Sequence, residues 1–401
     1  MGLVLYDAAR HEPLIEQPWD ADRAQQTIRL VLEAIDEQFS EQGCWPWHPL
    51  DLEAGDDPTQ PALPMYHGAA GVIWVRRHLA ALAQIDTSRY ERFLPELLDR
   101  NRGWLAQLPQ QARSSFMAGD TPILMMMRPV MMQPGGDASL AALIDDNRNN
   151  PARELMWGAP GTMLAALLLH ERTGGSDWST LFRESAASLR EQLQWSEQYR
   201  CHYWTQDLYG RTSSYLDAIH GFAGTAAVLI KGRHLLTDWP EWCGIIVETV
   251  LRTASCEADM ANWRPQLLAR ADEPPTLMQF CHGSPGFVIC LADLPDTRLD
   301  EILLQAGEAV WRAGPLRKGS NLCHGTGGNG YAFLKLYKKT GNRQWLDRAR
   351  AFAMHGIDQF HRARREYGQL RYSLWTGDPG FAVYLNDCIH GQARFPTLDV
   401  F

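Results

Sequence analysis

A glycine pair recurs along this chain and limits what it can fold into. G-x-x-G occurs as HGAAG (Gly68, Gly71), WGAPG (Gly158, Gly161), HGFAG (Gly221, Gly224), HGSPG (Gly283, Gly286), HGTGG (Gly325, Gly328) and TGDPG (Gly377, Gly380). A seventh, degenerate copy begins at Gly119, where Pro122 replaces the second glycine. The first glycines stand at 68, 119, 158, 221, 283, 325 and 377, so successive gaps run from 39 to 63 residues. Each gap accommodates two helices and their loops. A unit of that kind cannot bury its apolar face alone and must stack on its neighbours.

Two copies align well beyond the glycines: GAPGTMLAALLLHERTG from Gly158 and GTGGNGYAFLKLYKKTG from Gly325, with Leu167/Leu334, Leu169/Leu336, Thr173/Thr340 and Gly174/Gly341 in register. Apolar residues at helical spacing follow each glycine turn, and Gly174 and Gly341 stand where a helix C-cap belongs. Elsewhere, Ile28, Val31, Leu32, Ile35 and Phe39 form one apolar stripe behind a candidate N-cap, Asp20. Few segments alternate as half-buried strands do, and none alternates with helices as a βαβ fold requires. The chain is therefore expected to be all-α. Seven helical hairpins of unequal length favour a closed α/α toroid over an open solenoid, with the G-x-x-G turns gathered at one end. Glycine there permits positive φ and close backbone approach. The loss of the second glycine at Pro122 predicts an irregular ring at that point.

Composition excludes several classes. Hydrophobic residues make up 45% and charged residues 21% of the 401 residues, which is a folded chain rather than a disordered one. A net charge of -9 and a pI near 5.8 argue against nucleic acid as a partner. No stretch approaches the roughly 20 apolar residues of a transmembrane segment, and MGLVLY lacks the marks of a secretory signal. A cytoplasmic protein folding as one unit over residues 1–401 is expected, its eight scattered cysteines reduced.

The residue before the first glycine is histidine in four copies, His67, His220, His282 and His324, and in two of these a cysteine precedes it, Cys281 and Cys323. Equivalent positions in a ring point toward one centre. Thiolate and imidazole are preferred zinc ligands, and a catalytic zinc keeps one position open, so metal binding is expected at Cys281 and Cys323. A redox disulfide between them is the alternative. Cys44, Cys201, Cys243, Cys256, Cys290 and Cys388 read as small buried hydrophobes.

With FCHGSPG, NLCHGTGGNGYAFLKLY and a tail reading ARFP, the chain resembles lanthionine synthetase C and its stand-alone LanC-like relatives. The resemblance implies an α-toroid with a zinc ion at the turn end, held by Cys281, Cys323 and His324, with His282 adjacent but not a ligand. It implies that His220 is the acid/base near the metal and that Glu154, four residues before Gly158, orients or polarises the site. Lys318 resembles a lysine of the LanC-like proteins that could hold a substrate carboxylate, while His67 is an extra histidine, a second proton carrier or a pocket residue. The implied reaction is zinc-dependent addition of a thiol to dehydroalanine or dehydrobutyrine, giving a thioether. The ARFP tail and Lys318 favour glutathione as that thiol and a dehydroamino-acid-bearing peptide or protein as acceptor; a cyclase joining a peptide cysteine within a precursor is the alternative. A carbohydrate enzyme on an α/α barrel, suggested by 15 Trp residues, and a non-catalytic zinc- and glutathione-binding module are the other classes.

Overall fold

The computed structural model describes residues 5–52, 57–83, 86–128, 136–268 and 276–401. Seven of its helices begin at a glycine turn: α2 (Ala69–Ala83), α4 (Asp120–Met127), α6 (Ala159–Thr173), α8 (Phe222–Lys231), α10 (Ser284–Leu291), α12 (Thr326–Thr340) and α14 (Asp378–His390). They alternate with α1 (Ala21–Gln38), α3 (Ser88–Leu105), α5 (Gly136–Asp146), α7 (Ser176–Glu191), α9 (Trp239–Thr253), α11 (Asp300–Ala313) and α13 (Arg343–Tyr367). Each glycine-led helix packs against the next, and α14 packs back on α2, so the ring closes into an α/α toroid.

Burial separates the two sets. Every residue of α10 is buried, as is α12 from Thr326 to Leu336, which is the pattern of helices covered on all sides. Helix α1 buries only Ala24, Thr27, Ile28, Val31, Leu32 and Ile35, one stripe at spacings of three and four. Asp20 caps it by accepting from Arg23 N at 2.9 Å. Phe39 lies just past its end and packs on Trp45, Tyr90 and Phe93. Gly174 and Gly341 take left-handed φ of 70° and 69° and cap α6 and α12 as expected.

The turns are bonded to one another around the rim. Tyr66 N donates to Met117 O (2.9 Å), Met117 N to Met156 O (3.3 Å), Leu155 N to Ile219 O (3.1 Å), Cys281 N to Cys323 O (3.1 Å), Cys323 N to Trp375 O (2.8 Å) and Trp375 N to Tyr66 O (3.2 Å). Between the fourth and fifth turns the bond runs instead from Leu216 N to Pro265 O, 2.9 Å. Glycine is needed chiefly for this crowding. A Cβ on Gly328 would stand 1.9 Å from Leu322 O, and one on Gly286 2.1 Å from Phe280 O and 2.7 Å from the Ala218 Cβ of the preceding turn. Positive φ is required at only one of the first glycines, Gly283, at 106°; Gly119, Gly158, Gly221, Gly325 and Gly377 are extended.

Three further expectations are corrected. Gly119 still caps α4, and Met117 keeps its bonds to both neighbouring turns, because Pro122 lies in the first turn of α4, where a missing N–H costs no helical bond. The described residues also form three antiparallel hairpins: β1 (Gln194–Ser196) with β2 (Cys201–Tyr203), β3 (Gln206–Leu208) with β4 (Arg211–Ser213), and β5 (Ala254–Glu257) with β6 (Met260–Trp263). They fill the two longest gaps between glycine turns, and strands of three or four residues are too short to register as a period-two pattern. Cys256, expected to be buried, is exposed on β5, whereas Cys44, Cys201, Cys243, Cys290 and Cys388 are buried. No described helix is long and apolar enough to cross a membrane.

Candidate metal and acid–base site

In five turns the residue four places before the first glycine closes the turn with its side chain. Ser115 accepts from Met117 N and Ala118 N; Glu154 accepts from Met156 N (2.9 Å) and Trp157 N (2.5 Å); Asp217 accepts from Ile219 N (3.0 Å) and His220 N (2.7 Å); Asn321 and Ser373 accept from His324 N and Thr376 N. Where that residue is acidic it also reaches the histidine of the following turn. Glu154 Oε2 lies 2.8 Å from His220 Nδ1, with Glu154 fully buried and His220 19% exposed. Asp217 Oδ2 lies 2.8 Å from His282 Nδ1, though the two are not aligned as a hydrogen bond.

Burial opposes charge on His220, but the hydrogen bond and charge of Glu154, reinforced by Asp217 and Cys323, outweigh it and raise the imidazole pKa. His220 is thereby kept protonated above the usual histidine range, as a group that delivers a proton near neutral pH must be.

Cys281 and Cys323 occupy the same register, two places before their glycines, and their thiols are within reach of one another. Tyr66, in that register on the first turn, donates its hydroxyl to Cys323 Sγ at 2.9 Å, and Gln279 Nε2 donates to Cys281 Sγ at 3.0 Å. Contact with Cys281, and then His324 and Tyr66, holds the Cys323 thiol well below its ordinary pKa against the effect of burial; contact with Cys323 and burial push Cys281 up. The pair therefore favours one negative charge, on Cys323. Among the described residues no three His, Cys, Asp or Glu side chains are gathered as a ready-made metal-holding group. The sulfur pair with His324 beside Cys323 is a borderline-soft donor set, and its chemistry fits zinc.

His324 also lines a cavity of ≈ 460 Å³ with Arg317, Lys318, Arg362 and Arg371 on its walls. Of these, Arg371 is paired with Asp51 and Arg362 with Glu12, whereas Lys318 is exposed on the cavity's lip. His67 sits farther round the rim, its ring 6.0 Å from that of Tyr66 and 6.4 Å from that of Trp47. Sequence reasoning missed Tyr66 and Asp217. Both signals were present: MYHG aligns with FCHG and LCHG, and Asp217 stands before Gly221 as Glu154 stands before Gly158.

Residues 61–400 match the family model for lanthionine synthetase C-like proteins, and the chain belongs to that family. It is 30% identical over 191 residues to glutathione S-transferase LANCL1 of Danio rerio, covering 46% of each chain, and 42% identical over 134 residues to LanC-like protein GCL1 of Arabidopsis thaliana, covering 31% of this chain and 30% of that one. The matched segments thus span less than half the length of these relatives. Among solved structures, nisin cyclase superposes with a TM-score of 0.58 at 13% identity over 92% of this chain and 99% of its own, a likeness of fold.

Proposed function

We propose that this chain binds one zinc ion through Cys281, Cys323 and His324 and joins a thiol, preferably glutathione, to dehydroalanine or dehydrobutyrine residues of a peptide or protein, leaving a thioether. The observation that carries the proposal is the placement of two thiols within reach of one another, with His324 beside them, on the same rim as the buried Glu154–His220 pair. A zinc ion bound there would supply deprotonation of an incoming thiol at neutral pH. The chain's own residues do the rest. Sulfur adds to the β-carbon of the acceptor, and the enolate so formed takes a proton at its α-carbon from His220, whose charged form Glu154 sustains. Tyr66 steadies Cys323 through its hydroxyl. Lys318, beside the cavity that His324 lines, binds a glutathione carboxylate, and His67 forms part of the wall beyond Tyr66.

Membership in the family, and the name of the Danio rerio relative, support thioether chemistry with glutathione. The test is to incubate zinc-loaded protein with glutathione and a dehydroalanine peptide and follow the peptide mass. A gain equal to one glutathione, lost in His220→Ala while zinc is retained, is expected. No adduct with the wild-type protein refutes the proposal.

A further inference from the structure

The β3–β4 hairpin ends in Tyr209 and Gly210, both at positive φ, 53° and 74°. Two such residues form the turn that suits a tight hairpin, but the position favours Asn or Asp, and a bulky ring there is strained. Strain of this kind is kept where the surroundings use it. Tyr209 contributes little to the core, being 72% exposed. Its hydroxyl nevertheless accepts from Trp157 Nε1 at 3.2 Å, and its ring meets that of His220 edge-on, 6.1 Å between centroids and 88° between planes. Trp157 occupies, on the third turn, the place that histidine takes on four others. Asp207 N donating to Pro151 O at 2.9 Å ties the hairpin to the segment before the third turn, and Thr212 Oγ1 donating to Asp207 Oδ1 at 2.7 Å closes it across its two strands.

Resting on the thioether reading above, we infer that Tyr209, backed by Trp157, is the residue that binds the dehydroamino acceptor beside His220. A dehydroalanine residue is flat, uncharged and conjugated from its C=C into its amide carbonyl, which suits an aromatic surface. The Tyr209 oxygen already accepts from Trp157, so its own proton is available to the acceptor carbonyl. The cavity beside His324, with Lys318 and Arg317 among its lining residues, is the place for the other substrate, a thiol bearing carboxylates such as glutathione. The rim thus divides acceptor from thiol, with His220 on the acceptor side.

Calorimetric titration of the zinc-loaded protein with a decapeptide bearing one dehydroalanine, without thiol, and separately with glutathione, tests this. Tyr209→Ala is expected to weaken peptide binding about tenfold, and Tyr209→Phe, which keeps the ring and loses the hydroxyl, by less; glutathione binding stays unchanged in both. Because Tyr209 is exposed, an unaltered melting temperature should accompany the change. Peptide affinity equal to wild type in Tyr209→Ala, an equal loss of glutathione affinity, or no peptide binding by the wild type overturns the inference. The readout needs no turnover, so peptide binding through Tyr209 without adduct formation would refute the thioether reading and leave this one standing.

Discussion

Replacing Glu154 by Gln probes the acid–base pair most sharply. The carboxylate is fully buried and accepts from His220 Nδ1, Met156 N and Trp157 N. An amide of the same shape keeps one acceptor oxygen and turns an NH₂ toward at least one of these donors. A buried donor left without a partner costs about 1–3 kcal/mol, and removing one member of a buried ion pair about 3–5 kcal/mol, so a loss of about 2–4 kcal/mol is expected. Urea denaturation with an unchanged m-value measures it. The pH dependence fixes the cause. The raised His220 pKa contributes stability that is present in full below the unfolded histidine value and is lost as pH rises through the folded value. The gap between wild type and Glu154→Gln should therefore be widest below about pH 6.5 and narrow as the solution becomes alkaline. The His220 ring resonances should titrate at lower pH in the variant, and the thioether rate at neutral pH should fall by about 10²-fold. A stability change under about 0.5 kcal/mol, with His220 titrating as in wild type, would refute the role given to Glu154.

Other outcomes follow from the same geometry. Burial, with Asp51 adding to it, raises the Asp378 pKa to about 6 against the Arg371 backbone N–H and charge; the folded state then holds a proton that the unfolded state releases, and stability falls as pH rises from about 4 to 6. Asp378→Asn should match wild type near pH 4 and exceed it at pH 8 by about 1–3 kcal/mol, read from melting curves at the two pH values. Gly328→Ala drives a Cβ to 1.9 Å from Leu322 O, beside Cys323, and should destabilise by about 3 kcal/mol or more while weakening zinc affinity. Gly103→Ala, in α3 with open space around it, should stabilise by about 0.5–1 kcal/mol, and urea melts of both variants check the contrast. Lys318→Ala should raise the KM for glutathione and leave that for the acceptor peptide unchanged, as steady-state kinetics at varied concentrations of each would show.

The toroid was legible because its strongest signal is steric and local. In the six copies that keep it, the second glycine crosses the carbonyl six residues earlier, as Gly328 crosses Leu322 O, and a Cβ there would clash; only the degenerate copy, with Pro122, is written otherwise. The register of Cys281 and Cys323 was legible for the same reason. Glu154 and His220 were both placed at the site by the resemblance, but their pairing was not legible, since a carboxylate that closes its own turn and meets the next turn's histidine is sequence-distant from it. Tyr66 was hidden by residue type: a tyrosine in the register of two cysteines reads as core until its hydroxyl is seen on Cys323. The hairpins escaped because strands as short as Gln206–Leu208 leave no periodicity, and the aromatic tip they carry went unnoticed with them.

The most direct test of the central claim is the zinc content of the purified protein measured beside its thioether-forming activity. About one zinc per chain, lost from Cys323→Ala and from Cys281→Ala, with adduct formation abolished by chelation and restored by zinc, is the predicted result. A wild-type protein that takes up no zinc, or that forms the adduct equally well without it, would contradict the account.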